Sequence, residues 1–104
     1  MSYDSKFKFR IMVEGTNFWL NIDEPTKTGF FTARYVEARD QTMAIERALE
    51  LINEELKSKI VILNDADDPP KMEVSEIVEL NSFAECDVPG RGFTFYPDDT
   101  DSIN

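Results

Sequence analysis

From Lys6 to Glu14 the chain alternates strictly, with Phe7, Phe9, Ile11 and Val13 on one side and Lys8, Arg10, Met12 and Glu14 on the other. This is the period of a strand with one buried face. Gly15 and Thr16 give a turn signal before Phe18, Leu20 and Ile22 resume the alternation, so the two runs are expected to pair as a hairpin. A third strand is expected over Gly29 to Ala38, GFFTARYVEA, whose aromatic and β-branched residues suit a pleated surface. Phe31, Ala33 and Tyr35 point one way there, whereas Val36 and Ala38 are placed to meet a following helix. That split in phase predicts a bulge near Tyr35.

After Asp40, whose carboxylate can accept from the free amides of a first turn, Ala44, Ile45, Ala48, Leu51, Ile52 and Leu56 recur at helical spacing. The spacing predicts a helix over 41–57 that buries one stripe, with Glu46, Arg47, Glu50, Asn53, Glu54 and Lys57 in solvent and Arg47 paired with Glu50. Ile60 to Leu63 can form a short extra strand, and NDADDPP after it continues neither sheet nor helix. Lys71 to Leu80 reads as a strand with Met72, Val74, Val78 and Leu80 in one phase, interrupted by Glu76. A turn through Pro89, Gly90 and Gly92, with a glycine at positive φ, leads into Phe93 to Tyr96, where Phe93 and Phe95 take one face and Tyr96 the other. The fold class is therefore α+β: an antiparallel sheet with one helix on one face, in the order β-β-β-α-β-β. Residues 1–97 form one domain, and 98–104 an acidic tail too polar to pack.

Composition narrows the function. The chain has 104 residues, enough for one core, and a net charge of −10, an unfavourable start for binding a phosphate backbone. It contains no histidine, which removes the commonest proton shuttle near neutral pH and the commonest nitrogen ligand for transition metals. No catalytic residue and no cofactor is assigned. Cys86 is the one cysteine and stands between Glu85 and Asp87, neighbours that disfavour a thiolate, so it reads as an inert thiol in a reducing compartment. Asp65, Asp67 and Asp68 could attract a hard cation, but Pro69 and Pro70 stand where a calcium loop needs a ligand and a glycine, so no metal site is assigned. The opening MSYDSKFKFRIMVEG is not a signal peptide, and no apolar run approaches the roughly 18 to 20 residues of a membrane helix. The expectation is a cytoplasmic protein with no membrane contact and no nucleic-acid partner.

Charge is unevenly divided. Residues 1–35 hold five Lys and Arg against four Asp and Glu, a net of +1, whereas the remainder holds six against seventeen, a net of −11. One helix covers one face of the sheet, so the other is expected to display Lys8, Arg10, Met12, Trp19 and Asn21, joined by Thr32 and Arg34. Trp and Arg are favoured at interface hot spots, so Lys8, Arg10, Trp19 and Arg34 are the candidate interaction residues, with Trp19 as anchor. The expected partner is a second copy or another protein. The acidic remainder suits a basic one, on the principle of small acidic inhibitors of basic toxins. The alternative is a small-ligand protein or enzyme with a site under the loop 84–92, using Tyr96, Arg91 and a carboxylate.

With GFFTARYVEARD before the helix and PGRGFTFYP at the end, the chain resembles small bacterial proteins that share a GFYTTR-like strand and a terminal GFTFY-like strand. The resemblance implies a stand-alone α+β domain and transfers no functional residue. The succession of strands into VEARDQTMAIERAL is also similar to HicB-type antitoxins, which implies a partner that blocks a toxin.

Overall fold

The computed structural model describes residues 6–84 and 86–98. It is an α+β fold: four antiparallel strands with one helix packed against one face, as the hydrophobic pattern implies. The elements are β1 (Phe7–Ile22), β2 (Glu24–Ala38), α1 (Gln41–Lys59), β3 (Lys71–Leu80) and β4 (Thr94–Pro97), with sheet order β3-β1-β2-β4.

The two runs expected to pair as a hairpin are one continuous strand. Gly15 lies opposite Phe30 and Phe18 opposite Thr28, so Thr16 and Asn17 face a single residue of β2 across a bulge. Asn17 takes the left-handed conformation, φ 58°, that such a bulge requires. The reversal comes later, at Asp23 with φ 63°, and joins β1 to β2. The bulge adds one residue, which returns Phe18 and Leu20 to the face of Ile11 and Val13.

No bulge occurs at Tyr35, because the β1–β2 register runs unbroken from Phe7 opposite Ala38 to Gly15 opposite Phe30. Phe30, Thr32, Arg34, Val36 and Ala38 therefore share the helix side, and Phe31, Ala33 and Tyr35 the other. In β3 the shift falls where Met12 faces Glu76 and Val13 faces Val74, leaving Ser75 unpaired, its hydroxyl donating to the Met12 carbonyl at 3.3 Å. Met72, Val74 and Ile77 thus pack toward the core, and the apparent interruption at Glu76 disappears because Glu76, Val78 and Leu80 lie on the opposite face.

Asp40 caps α1 through a 2.8 Å bond from the Met43 amide. Ala44, Ala48, Ile52 and Leu56 form its buried stripe, and the two alanines let the helix approach Phe9, Ile11, Val13, Phe18, Leu20 and Phe30 closely. Each Leu, Ile or Phe so buried contributes about 1.5–3 kcal/mol of hydrophobic stabilisation. Instead of an extra strand, residues 60–63 form a single bridge, Ile62 to Leu20, with backbone bonds from Asn21 to Val61 and from Leu63 to Trp19. Gly90 and Gly92 both have positive φ, 90° and 84°. Phe95 lies across from Phe30 and Tyr96 from Gly29. Asp98, placed by sequence in the tail, is buried; its carboxylate accepts from the Asn17 amide and its own amide donates to Lys27. The rest of the expected tail, 99–104, lies outside the described residues.

Candidate functional site

The sheet face away from α1 divides into three parts. At the first end Lys8 meets Glu37 at 3.4 Å and Arg10 meets Glu76 at 2.9 Å, both across strand pairs and both partly solvated. The segment leading from β3 to β4 touches this end: Phe83 packs edge-on to Tyr35, the Lys8 ammonium stands 5.9 Å from its ring, and the Tyr35 amide donates to Pro89. The basic face expected from sequence is thus electrically balanced, because β2 and β3 supply the glutamates that pair with its cations, Glu37 directly opposite Lys8 and Glu76 diagonal to Arg10. In the middle, the Tyr96 ring lies over Gly29 and beside Phe31, and its hydroxyl donates to Glu14. That bond, with desolvation second, pushes the Tyr96 pKa up to about 12.

Arg34 is not on this face. It is 1 % exposed on the helix side, where its guanidinium donates to Thr32 Oγ1, to the Ala33 carbonyl and to Glu55 Oε1 on α1. Glu55 also accepts from Lys59 and from the Gly92 amide, both at 2.8 Å, and the Phe93 ring faces the guanidinium at 5.5 Å. One ion pair therefore ties β2, α1 and the approach to β4 together. Desolvation lowers the Arg34 pKa against the opposing pull of Glu55. Desolvation acts to raise the Glu55 pKa, but the bonds from Lys59 and Gly92 and the charge of Arg34 outweigh it and hold the carboxyl below its ordinary value. Fully enclosed, Arg34 has no surface to offer a partner; its work is internal.

The third part surrounds Trp19. Its amide donates to Asn64 Oδ1 at 2.9 Å and its carbonyl accepts from the Leu63 amide at 2.7 Å. The Asn64 amide group donates to the carbonyls of Asn17 and Asp68, and the Asn17 side chain donates to Asp68 Oδ1 and to the Pro69 carbonyl. This lattice fixes the loop 64–70 against the β1 bulge, and it is why NDADDPP needs neither helix nor sheet. Trp19, Pro25, Leu63, Asp65 and Asp68 line a cleft of about 270 Å³. Leu63, 40 % exposed, lies beside Trp19 through their backbone bond, and Val61, 60 % exposed, lies beside Asn21, the next residue but one along β1. Sequence singled out Trp19 but not its companions, because Leu63 and Asp65 reach it only through the Leu63–Trp19 bond and the Asn64 clasp.

A second cavity, about 510 Å³, opens between β2 and the loop 86–94, with Tyr35, Cys86, Asp87, Arg91 and Phe93 in its wall. Arg91 is well exposed and stands 3.7 Å from Asp87. Tyr96, expected here, is instead engaged with Glu14. Among the described residues no three carboxylate or thiol groups converge as a metal site, and no helix is long and apolar enough to cross a membrane. Compared with known proteins, the chain matches no family model, no curated protein and no solved structure.

Proposed function

We propose that this chain is a non-enzymatic protein-interaction domain that docks a basic partner on the Trp19 end of its open sheet face, in the manner of an acidic inhibitor or antitoxin. The observation that carries the reading is the half-buried Trp19 sharing a cleft with exposed Leu63 and Pro25 and with Asp65 and Asp68. An aromatic anchor with an apolar surround and a charged rim is the anatomy of a hot spot. The net charge of −10 favours a basic partner over a second copy, since two such chains repel at long range. Lys8 and Arg10, at the other end of β1 and already paired with Glu37 and Glu76, are left outside this docking patch.

An array of immobilised peptides of graded charge and hydropathy tests this. The folded protein is expected to be captured by basic, apolar-containing peptides, and Trp19→Ala, verified as folded by circular dichroism, to lose at least tenfold of that capture. Capture that ignores peptide charge, or that Trp19→Ala leaves intact, overturns the reading. A second reading, a small-ligand site, is supported by the cavity beside Tyr35 and Arg91. A metabolite that raises the melting temperature of the wild type but not of Arg91→Ala would establish it.

A further inference from the structure

We propose that the cleft beside Trp19 is a receptor for one arginine side chain of the basic partner, an inference that rests on the docking reading above. The indole supplies a π face, on which a guanidinium stacks more readily than an ammonium because it is planar and more weakly hydrated. Leu63 and Pro25 supply apolar surface for the aliphatic stem of the side chain. Asp65 and Asp68 supply the countercharge. Asp68 commits one oxygen to Asn17, and the Asp65 carboxylate meets no donor among the described residues. Carboxylate and guanidinium match in a two-point geometry that neither a lysine nor a neutral side chain reproduces.

The resident cation nearest in the sheet does not fill the cleft. Lys27, the cross-strand partner of Trp19, lines a separate cavity of about 360 Å³ with Asp98 and Lys71, of which Asp68 is also part. The backbone of the walls is already held by the Asn64 bonds to the Trp19 amide and to the Asn17 and Asp68 carbonyls, so binding has only side chains to order.

Trp19 is the only tryptophan in the chain, so its own fluorescence reports occupancy. The probes are N-acetyl-arginine amide and its neutral isostere N-acetyl-citrulline amide, titrated into the full-length protein at low salt. The expected result is a saturable change with arginine, half-complete at about millimolar concentration as befits a single side chain. Citrulline should give none, and Asp65→Asn should weaken the arginine response at least threefold; the turn should survive, since it uses the Asp65 backbone carbonyl. A response that does not saturate, that citrulline reproduces, or that Asp65→Asn leaves unchanged overturns the proposal. If arginine fails while Trp19-dependent peptide capture persists, only the arginine assignment falls. If capture fails as well, the docking reading falls with it.

Discussion

The guanidinium of Arg34 donates to Glu55 Oε1 at 2.7 Å across the interface between β2 and α1, with the arginine side chain 1 % exposed and the glutamate 18 %. Removing Glu55 leaves the enclosed Arg34 charge without its countercharge, whereas removing Arg34 leaves Glu55 its bonds from Lys59 and Gly92. Glu55→Gln is therefore expected to destabilise the fold by about 3 kcal/mol, and Arg34→Met by less. The double variant Arg34→Met/Glu55→Gln should recover part of that loss. Urea unfolding of the two single variants and the double closes the cycle, and strict additivity would show that the pair is not coupled.

The same carboxylate makes stability depend on pH. Glu55 sits below its ordinary pKa of 4.5 in the folded chain, so the unfolded chain takes up its proton first as the solution is acidified. Its contribution is complete above about pH 4.5 and disappears as pH falls through the lower, folded value. Glu55→Gln should accordingly be less stable than wild type near neutrality, with the gap narrowing on acidification below pH 4.5. Denaturant midpoints measured from pH 7 to pH 3 check this, and a constant gap would contradict it.

Gly15 has a different kind of necessity. A Cβ there would stand 2.3 Å from the Phe30 ring and 2.9 Å from the Phe18 ring, both fully buried, so neither can yield. Gly15→Ala is expected to cost about 1–3 kcal/mol by overpacking, visible as a lowered urea midpoint. An unchanged midpoint would mean that the rings have room to move.

What the chain discloses locally is what its local periods encode. The Asp40 cap and the stripe Ala44, Ala48, Ile52 and Leu56 follow from spacing alone, as does the alternation of Phe9, Ile11 and Val13. The bulges do not. Gly15–Thr16 carries the same chemistry as a reverse turn, and only pairing with β2 shows that Asn17 takes the left-handed position while the strand runs on. The misplaced face of Arg34 has the same origin: a bulge near Tyr35 would put Arg34 out of phase with Val36 and Ala38, whereas the unbroken register sets all three on the helix side. The neutralising partner of Arg34 stands 21 residues away on another element, and no local pattern connects them. Trp19 was visible as an unusual residue on the open face. Its cleft was not, because Asn64 and Asp68 build it through long-range bonds.

On the open face, Tyr96 stands over Gly29 and donates to Glu14, which favours its neutral form and moves its pKa from 10.0 to about 12. A raised pKa on a group that is neutral when protonated means that the folded chain holds the proton longer than the unfolded chain. The resulting stabilisation is complete below pH 10 and is lost as pH rises from 10 toward 12. Lysines titrate in the same range, so the informative quantity is the difference from Tyr96→Phe, which keeps the ring over Gly29 and deletes only the hydroxyl. Wild type should exceed Tyr96→Phe in stability at pH 8, and the margin should shrink steadily above pH 10. Spectrophotometric titration should show one tyrosine ionising near 12 that Tyr96→Phe removes. Gly29→Ala offers an independent handle, since its Cβ would fall 2.3 Å from the Tyr96 ring and push it from Glu14. Because the Tyr96 ring is only half-buried and can swing aside, Gly29→Ala should cost less stability than Gly15→Ala while returning the late tyrosine toward pH 10. A titration in which Gly29→Ala retains that late transition would break the link between the ring's seat on the glycine and its bond to Glu14.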